Sequence, residues 1–209
     1  MKNSQLKFKG LKEFKELKEF MDFKEDLPGA LKTLREGGVI LYPTDTIWGL
    51  GCDATNKEAV EKIFGIKKRK ESKSLIILVN GEMMLERYVR NIPEIVYKII
   101  RVADKPMTII YPEGKNLAPG ICSDDGSVGI RICTDDFCNE LITRFRKPIV
   151  STSANVSGTY SPSVFSEIEK TIIDSVSYVV KYRQGDRKKN SPSPIIKIAA
   201  DGVIKIVRG

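Results

Sequence analysis

The sequence predicts an α/β domain in which helices flank a mixed β-sheet. Short apolar runs, typical of buried strands, alternate with stretches whose apolar residues recur at helical spacing. The length of 209 residues is enough for one well-buried domain. Near the end, the apolar runs 195–198 and 203–207 flank Asp201-Gly202, a dipeptide that favours a tight hairpin turn. Because a hairpin pairs its strands antiparallel, we expect a mixed sheet rather than a parallel one.

The first part of this domain is predicted as helix, strand, helix and strand. Asp26-Leu27-Pro28 is a helix start signal, and Gly37-Gly38 is a stop. The apolar run 39–42 then predicts a buried strand. Asn56 can cap a second helix, which is followed by a basic stretch and an apolar strand over 75–79.

The same alternation continues to the end of the chain. Helical spacing recurs over residues 83–89, 95–102 and 137–145. Further strands are predicted over 108–111, 128–133, 149–152 and 178–181. Two long segments without periodicity are expected to be loops, and loops of this length in a compact domain are more often functional than idle: 112–127 and 184–194.

The first 26 residues differ from the rest of the chain. Lys and Glu alternate with apolar residues spaced about three apart: Leu6, Phe8, Leu11, Phe14, Leu17, Phe20 and Phe23. This pattern predicts an amphipathic arm that packs its apolar stripe on the domain or on a second subunit. Alternatively, the arm presents a surface for RNA or a protein partner. We therefore divide the chain into an arm, 1–26, and a domain, 27–209.

Composition restricts the class of protein and the chemistry available to it. Apolar residues make up 41% and charged residues 30%, which is typical of a soluble globular protein. No apolar run approaches the roughly 20 residues that cross a bilayer, and the first residues lack a signal peptide's apolar stretch. We expect a cytoplasmic protein without a membrane partner.

The chain has four cysteines, no C-x-x-C pair and no histidine. These counts exclude Cys/His zinc sites and the catalytic triads that depend on an imidazole. The cysteines are expected to be reduced structural thiols. The net charge of +8 favours an anionic partner such as a nucleotide, RNA or a membrane surface, although a solvated lysine-rich surface would give the same charge.

Three predicted loops carry small, polar and basic residues at the ends of strands, where open α/β sheets usually bind ligands. The first is YPTDTIWGLGCDA, residues 42–54. Thr44 and Thr46 offer hydroxyl groups and Asp45 a carboxylate, and Gly49 and Gly51 would let the backbone approach a ligand closely. The spacing fits no P-loop or dinucleotide motif, so a turn that merely caps the sheet is the alternative.

The second and third loops carry the charged and hydrogen-bonding groups. Residues 66–74 contain Lys67 and Arg69, which could clamp a polyphosphate, although a solvated helix end would also be basic. The mostly polar context of this loop predicts that loss of either side chain leaves stability nearly unchanged. Residues 151–163 offer short donors as a nucleotide cradle, or form a simple turn. With no histidine to activate them, we expect no serine nucleophile.

Taken together, several strings in this order resemble the YrdC-like threonylcarbamoyl-AMP synthase family across residues 28–170, and more loosely to the end. The strings are YPTDTIWGLG, Lys67-x-Arg69, Pro106-Met107-Thr108, Val128-Gly129-Ile130-Arg131, and SANVSG at 153–158 followed by Ser161-Pro162. The resemblance is to the short, single-domain type. It implies a twisted mixed sheet with flanking helices and a central basic cavity.

The resemblance also implies a reaction. A nucleotidyltransferase of this family, an L-threonylcarbamoyladenylate synthase, forms threonylcarbamoyl-AMP and pyrophosphate from L-threonine, bicarbonate or CO2, and ATP. The product serves the threonylcarbamoyladenosine modification of tRNA through separate transfer proteins. No carboxylate cluster marks a protein-held metal, so we expect Mg²⁺ to arrive with ATP.

The family's functional residues map onto this chain by motif. Catalysis and phosphate binding fall on Lys67 and Arg69, while Ser153 and Asn155 fix the nucleotide. The remaining expected ATP contacts are Ser193 and Arg208, and the expected threonine contacts are Thr44, Thr46, Thr108 and Arg131.

Two alternatives use the same features. A non-catalytic module would bind double-stranded RNA or tRNA in the basic cavity. A carbamoyl-transfer domain of larger hydrogenase-maturation proteins is disfavoured, because we find none of the zinc-finger and acylphosphatase-like segments that accompany it.

Overall fold

Two mixed β-sheets and the helices around them make up the part of the chain that the computed structural model describes, residues 23–68 and 75–209. In chain order the elements are α1 (Leu27–Arg35), β1 (Ile40–Tyr42), β2 (Gly49–Gly51), α2 (Lys57–Lys67), β3 (Ile76–Val79), α3 (Glu82–Tyr88), α4 (Glu94–Val102), β4 (Thr108–Tyr111), β5 (Val128–Ile132), α5 (Asp136–Phe145), β6 (Ile149–Val150), β7 (Thr152–Ser153), a 3-10 helix (Phe165–Glu167), α6 (Lys170–Ile173), β8 (Tyr178–Val179), β9 (Ile195–Ile198) and β10 (Ile204–Arg208).

The larger sheet has the strand order β10-β9-β4-β5-β3-β6. Strand β3 pairs with β5, and β4 with β9, in parallel, while the other neighbours are antiparallel. Strands β9 and β10 form the hairpin predicted around Asp201-Gly202, with Ile198 opposite Ile204. The prediction of a mixed α/β fold is confirmed.

The smaller sheet has the order β7-β2-β1-β8. Strand β1 pairs antiparallel with β2 and parallel with β8. A strand predicted over 149–152 is in fact two short strands that belong to different sheets. Ser151 lies between them, and its backbone N–H still donates to the Ile76 carbonyl of the larger sheet, at 2.8 Å. This crossing brings Ser153 to the edge of the smaller sheet.

Side-chain alternation gives the larger sheet two different faces. On β4 and β5, Ile109, Tyr111 and Ile130 are buried in the hydrophobic core. Thr108 and Arg131 point to the opposite face, toward the smaller sheet, where they line a cavity. Polar residues within these strands are therefore available to a ligand.

Helix α2 begins at the cap that its sequence predicts, but it runs on to Lys67, into the segment 66–74 that the sequence predicts as a loop. The Asn56 side chain accepts a hydrogen bond from the Ala59 N–H, at 3.1 Å, which caps the first turn. At the other end Lys68 adopts the left-handed conformation, with φ of 47°, that commonly terminates a helix. Lys67 is thereby fixed in the last turn.

Asp26 has a different role from the helix start predicted for it. Its side chain makes no cap hydrogen bond to α1. Instead the carboxylate accepts from the backbone N–H groups of Lys181 and Tyr182 and from the Tyr178 hydroxyl, at 2.8 to 3.0 Å. Asp26 therefore ties the start of the domain to the segment after β8.

Most of the predicted arm, residues 1–22, lies outside the described residues. Phe23 is buried, and its ring lies edge-on to those of Phe137 and Tyr182. The division at residue 26 stays a prediction. Every helix within residues 23–68 and 75–209 is too short or too polar to cross a membrane.

Candidate active site

A cavity of about 470 Å³ lies between the two sheets. Its walls come from the β1–β2 loop and β7 on one side, and from β3, β4, β5, β9 and β10 on the other. Six of the residues predicted as ligand contacts line it: Thr46, Thr108, Arg131, Ser153, Ser193 and Arg208. The fold thus brings sequence segments more than 150 residues apart to one hollow.

Lys67 lies directly behind this wall. Its side chain is buried, with the residue 2% exposed. The ammonium donates to the backbone carbonyls of Ser153 and Asn155, at 2.6 and 2.8 Å, and lies 3.4 Å from Asn155 Oδ1. Lys67 therefore meets Ser153 and Asn155, although it holds their backbone and does not itself line the cavity.

Asn155 braces the same turn. Its side-chain amide donates to the carbonyls of Val156 and Thr159, at 3.0 and 2.8 Å. Its oxygen accepts from the Ser153 hydroxyl, at 2.5 Å. Both side chains are held in fixed orientations, with Ser153 on the cavity wall. Arg69, the other half of the predicted phosphate clamp, lies outside the described residues.

Arg131 supplies a buried cation in the wall formed by β5. Its Nη2 atom lies 3.0 Å from Asp45 Oδ1, and both side chains are only 5% exposed. Its Nη1 donates to the Ser193 hydroxyl oxygen, at 3.2 Å. The Nε–H has no hydrogen-bond partner among the described residues. Because an unmet buried donor costs free energy, this group favours a ligand with an acceptor oxygen.

Ser193 joins three parts of the cavity wall. Its hydroxyl lies 2.8 Å from the Thr108 hydroxyl and accepts from Arg131. Its carbonyl accepts from Nε and Nη2 of Arg208, at 3.1 and 2.6 Å. Burial, and then the nearby charge of Arg131, lower the pKa of the Arg208 guanidinium. Two guanidinium groups at one wall favour an anionic ligand.

Thr44 and Thr46 have different surroundings. The Thr44 hydroxyl donates to the Ile47 carbonyl, at 2.8 Å, and accepts from the Thr46 N–H, at 3.1 Å. Thr46 lines the cavity, whereas Thr44 lies behind it. Thr44 therefore shapes the turn, and of the two only Thr46 lines this cavity.

The two glycines of the same loop also differ. Gly49 lines the cavity, in agreement with its expected role. A Cβ on Gly51 would lie 2.6 Å from the Tyr42 ring and 2.9 Å from the Val150 carbonyl oxygen. Gly51 is therefore required for packing within the fold and not for approach to a ligand.

Sequence reasoning missed a polar group at the rim. The Asp125 carboxylate accepts from the Ser127 hydroxyl, at 2.5 Å, and from the Lys197 ammonium, at 2.9 Å. These hydrogen bonds, that of Ser127 first, hold the pKa of Asp125 well below its usual range. Asp125 and Ser127 belong to the long loop 112–127, whose length was the one signal for them. Lys197 gave none, since a lysine among the apolar residues of a strand is normally solvated.

Protein groups suited to binding a metal ion are scarce. Within residues 23–68 and 75–209, no three Cys, Asp or Glu side chains are grouped so that they could hold one. Three thiols, those of Cys52, Cys133 and Cys138, are buried. Burial raises the pKa of Cys52 and of Cys138. What the cavity offers instead is a set of hydroxyls and guanidinium groups that suits oxyanions.

The chain belongs to the Sua5/YciO/YrdC family. Residues 32–209 match the model of this family, which is described as "Telomere recombination". The resemblance inferred from the motifs is thereby confirmed.

Individual relatives agree over most of their length. A putative threonylcarbamoyl-AMP synthase of Methanocaldococcus jannaschii is 35% identical over 179 residues, which are 85% of this chain and 83% of that protein. The threonylcarbamoyl-AMP synthase of Pseudoalteromonas translucida is 31% identical over 186 residues, 88% of this chain and 97% of that protein.

Solved structures share the fold. P. abyssi Sua5 complexed with L-threonine superposes with a TM-score of 0.73 at 25% identity, over 82% of this chain. The match spans 50% of that longer chain. E. coli YciO superposes with a TM-score of 0.75, at 22% identity and over 87% of both chains, which shows the fold alone.

Proposed function

We propose that the protein is a threonylcarbamoyl-AMP synthase that joins L-threonine, bicarbonate or CO2, and ATP. Curated relatives of similar length bear that name, at 35% and 31% identity. The observation that carries the proposal for this chain is the buried Arg131 at the cavity wall, whose Nε–H is unmet among the described residues. Such a donor suits the carboxylate of an amino acid.

The reaction suits a site without histidine. The threonine amino group first takes up CO2, or bicarbonate with loss of water, to give a carbamate. A carbamate oxygen then attacks the α-phosphorus of ATP, so that an O–P bond forms and the bond to the pyrophosphate oxygen breaks. The nucleophile is already an anion. The protein therefore contributes mainly alignment and neutralisation of charge.

The residues of the cavity divide between the two substrates in this proposal. Arg131, Thr108 and Thr46 receive threonine, with the carboxylate at the Arg131 Nε–H. Ser153 and Arg208 contact the nucleotide from opposite walls. Ser193 lies between the two subsites, because it bonds both guanidinium groups.

Lys67 and Arg69 remain the proposed catalytic residues. Lys67 places a positive charge immediately behind Ser153 and holds the turn on which Ser153 and Asn155 lie. A cation there stabilises charge that develops on the phosphates. Arg69 would contact the phosphates directly. Thr44 is proposed to support Thr46 through their shared hydrogen bonds.

The wider setting follows from the same function. Mg²⁺ would enter bound to the ATP phosphates, because the described residues offer no cluster to hold it. The product would pass to separate proteins that modify tRNA, and we place the enzyme in the cytoplasm. Direct binding of tRNA or double-stranded RNA remains the alternative, supported by the net charge of +8. The names of the curated relatives favour the enzyme.

Pyrophosphate release tests the function. We expect purified protein with ATP and Mg²⁺ to release pyrophosphate only when both L-threonine and bicarbonate are present. Omitting either substrate in turn provides the control. A well-folded protein that releases no pyrophosphate under these conditions, yet binds double-stranded RNA, would replace the enzyme with the RNA-binding alternative.

A further inference from the structure

We infer that Asp45 is the positioning residue that fixes Arg131 for the substrate carboxylate, an inference that rests on the proposed function. Asp45 belongs to the β1–β2 loop of the smaller sheet, whereas Arg131 belongs to β5 of the larger sheet. Their closest atoms, Asp45 Oδ1 and Arg131 Nη2, are 3.0 Å apart, and each side chain is 5% exposed. The pair therefore bridges the two sheets in a nearly dry environment.

Asp45 is itself held from a second direction. Its Oδ2 accepts from the backbone N–H of Thr134, at 3.2 Å, and lies 3.4 Å from the Thr134 hydroxyl. Thr134 follows the end of β5, so both partners of the carboxylate come from the same strand and its continuation. The carboxylate is thus locked relative to Arg131. Asp45 does not line the cavity, so it acts through Arg131 and not on the substrate.

The contact with Asp45 limits which N–H groups of Arg131 remain available to a ligand. A guanidinium is planar, and its five N–H donors have a fixed geometry. Nη2 forms an ion pair with Asp45, without a hydrogen bond to Oδ1, and Nη1 donates to Ser193, so the plane is fixed by a charge contact at one end and a hydrogen bond at the other. Nε is the nitrogen without a partner among the described residues. Asp45 therefore determines which edge of the guanidinium is free for a carboxylate.

The charge of Asp45 also matters for Arg131. A buried guanidinium without a counter-ion is costly, and removing one partner of a buried pair destabilises the protein because the other charge is left uncompensated. Without the Asp45 charge, the most favourable partner for Arg131 would be solvent or the substrate phosphates. Arg131 would then lose its orientation toward threonine. The expected defect is specific to the threonine subsite.

Steady-state kinetics of Asp45→Asn test this inference. We expect the KM for threonine to rise about tenfold or more, since hydrogen bonds to charged groups contribute on this scale. The KM for ATP should change far less, and Asp45→Glu should recover part of the loss. Because both residues act on one interaction, adding Asp45→Asn to Arg131→Lys should worsen the threonine KM little further. An unchanged threonine KM in Asp45→Asn would overturn the inference.

Asp53→Asn is the matched control. The Asp53 side chain is equally buried, at 5% exposure, and pairs with Lys147 at 2.7 Å. Its other oxygen accepts from the backbone N–H and hydroxyl of Thr55, as Asp45 does from Thr134. Asp53 does not line the cavity. We expect its variant to retain the wild-type KM for threonine; an equal rise in both variants would mean general loosening of the fold and would overturn the inference.

A second readout does not depend on activity. The Arg131 Nε–H signal can be assigned in the nitrogen-15 NMR spectrum of the whole protein from its loss in Arg131→Lys. We expect slow exchange of this proton with water in the wild type and in Asp53→Asn, and fast exchange in Asp45→Asn. Equal exchange in all three would contradict the positioning role. If the wild type makes no pyrophosphate but shows this pattern, the proposed function fails while the role of Asp45 in holding Arg131 stands.

Discussion

The burial of Lys67 changes the effect on stability that its residue type and polar sequence context suggest. The sequence places Lys67 in a mostly polar loop and predicts that loss of its side chain leaves stability nearly unchanged. That expectation does not fit the structure, because Lys67 is buried and its ammonium satisfies the carbonyls of Ser153 and Asn155. The sequence identifies the residue but not its burial, since the carbonyls come from a loop some 85 positions away.

Replacing Lys67 with alanine should therefore affect both catalysis and folding. We expect pyrophosphate release to be lost, and the free energy of unfolding to fall by about 1–3 kcal/mol, because buried carbonyls lose their donor. The measurements are a turnover assay and urea unfolding. Lys68→Ala is the control, since Lys68 is exposed and adjacent, and it should retain both properties. A fully stable but inactive Lys67→Ala protein would show that the carbonyls find other partners.

Asp125 gives a prediction for the dependence of stability on pH. Its pKa is lowered in the folded state, so its contribution is present above the unfolded value of about 4 and is lost as pH falls below it. The effect should be small, because the side chain is largely exposed. We expect the unfolding free energy of Asp125→Asn to fall less between pH 6 and pH 3 than that of the wild type. An equal fall in the unfolding free energies of the wild type and Asp125→Asn between pH 6 and pH 3 would contradict the lowered pKa of Asp125.

At the scale of elements, helices α2 and α5 begin at local signals, whereas the strand pairing depends on distant partners. The Asn56 cap of α2 and the Asp135 cap of α5 are side chains that accept from the N–H three residues on. The division of 149–152 between two sheets could not be predicted. The division arises because β6 pairs with β3 and β7 pairs with β2. A short apolar run does not indicate which distant strand it will pair with.

Helix α2 offers a test of how an element positions the site. Asn56→Ala removes the N-cap hydrogen bond, and we expect it to lower the free energy of unfolding by about 0.5–2 kcal/mol. Lys67 lies at the other end of the helix, held by its own bonds, so turnover at a temperature well below unfolding should change little. Denaturant unfolding and pyrophosphate release measure the two effects. A large loss of turnover would mean that the whole helix shifts.

At the scale of the whole molecule, two sheets enclose one cavity. The sequence predicts a single mixed sheet and three loops that converge, and the convergence is what matters for function. Thr46, Thr108, Arg131, Ser153, Ser193 and Arg208 meet because the β1–β2 loop and β7 face the larger sheet. Residues recognised by motif could be predicted, and Asp45 lies within one of these motifs, although its pairing with Arg131 could not be foreseen. Asp125 and Lys197 could not be predicted, because their importance comes from partners brought close only by the fold.

Substrates that bridge the sheets should stabilise the protein as a whole. A ligand that binds only the folded state adds about 2.7 kcal/mol when its concentration is one hundred times its Kd. We expect ATP with Mg²⁺ and L-threonine each to raise Tm, with a larger rise together. Differential scanning fluorimetry measures this, and D-threonine serves as the matched control. No rise with either substrate at any concentration would show that the folded protein does not bind them.

The four cysteines differ in their accessibility, which allows one of them to be labelled with a fluorescent dye. Cys52, Cys133 and Cys138 are buried, whereas Cys122 is partly exposed and directly precedes Ser123, which lines the cavity. Because thiol reagents need access, an environment-sensitive dye should label Cys122 first in the native protein. The fluorescence of the dye would then report the binding and release of ligands in the cavity in real time, without an introduced cysteine.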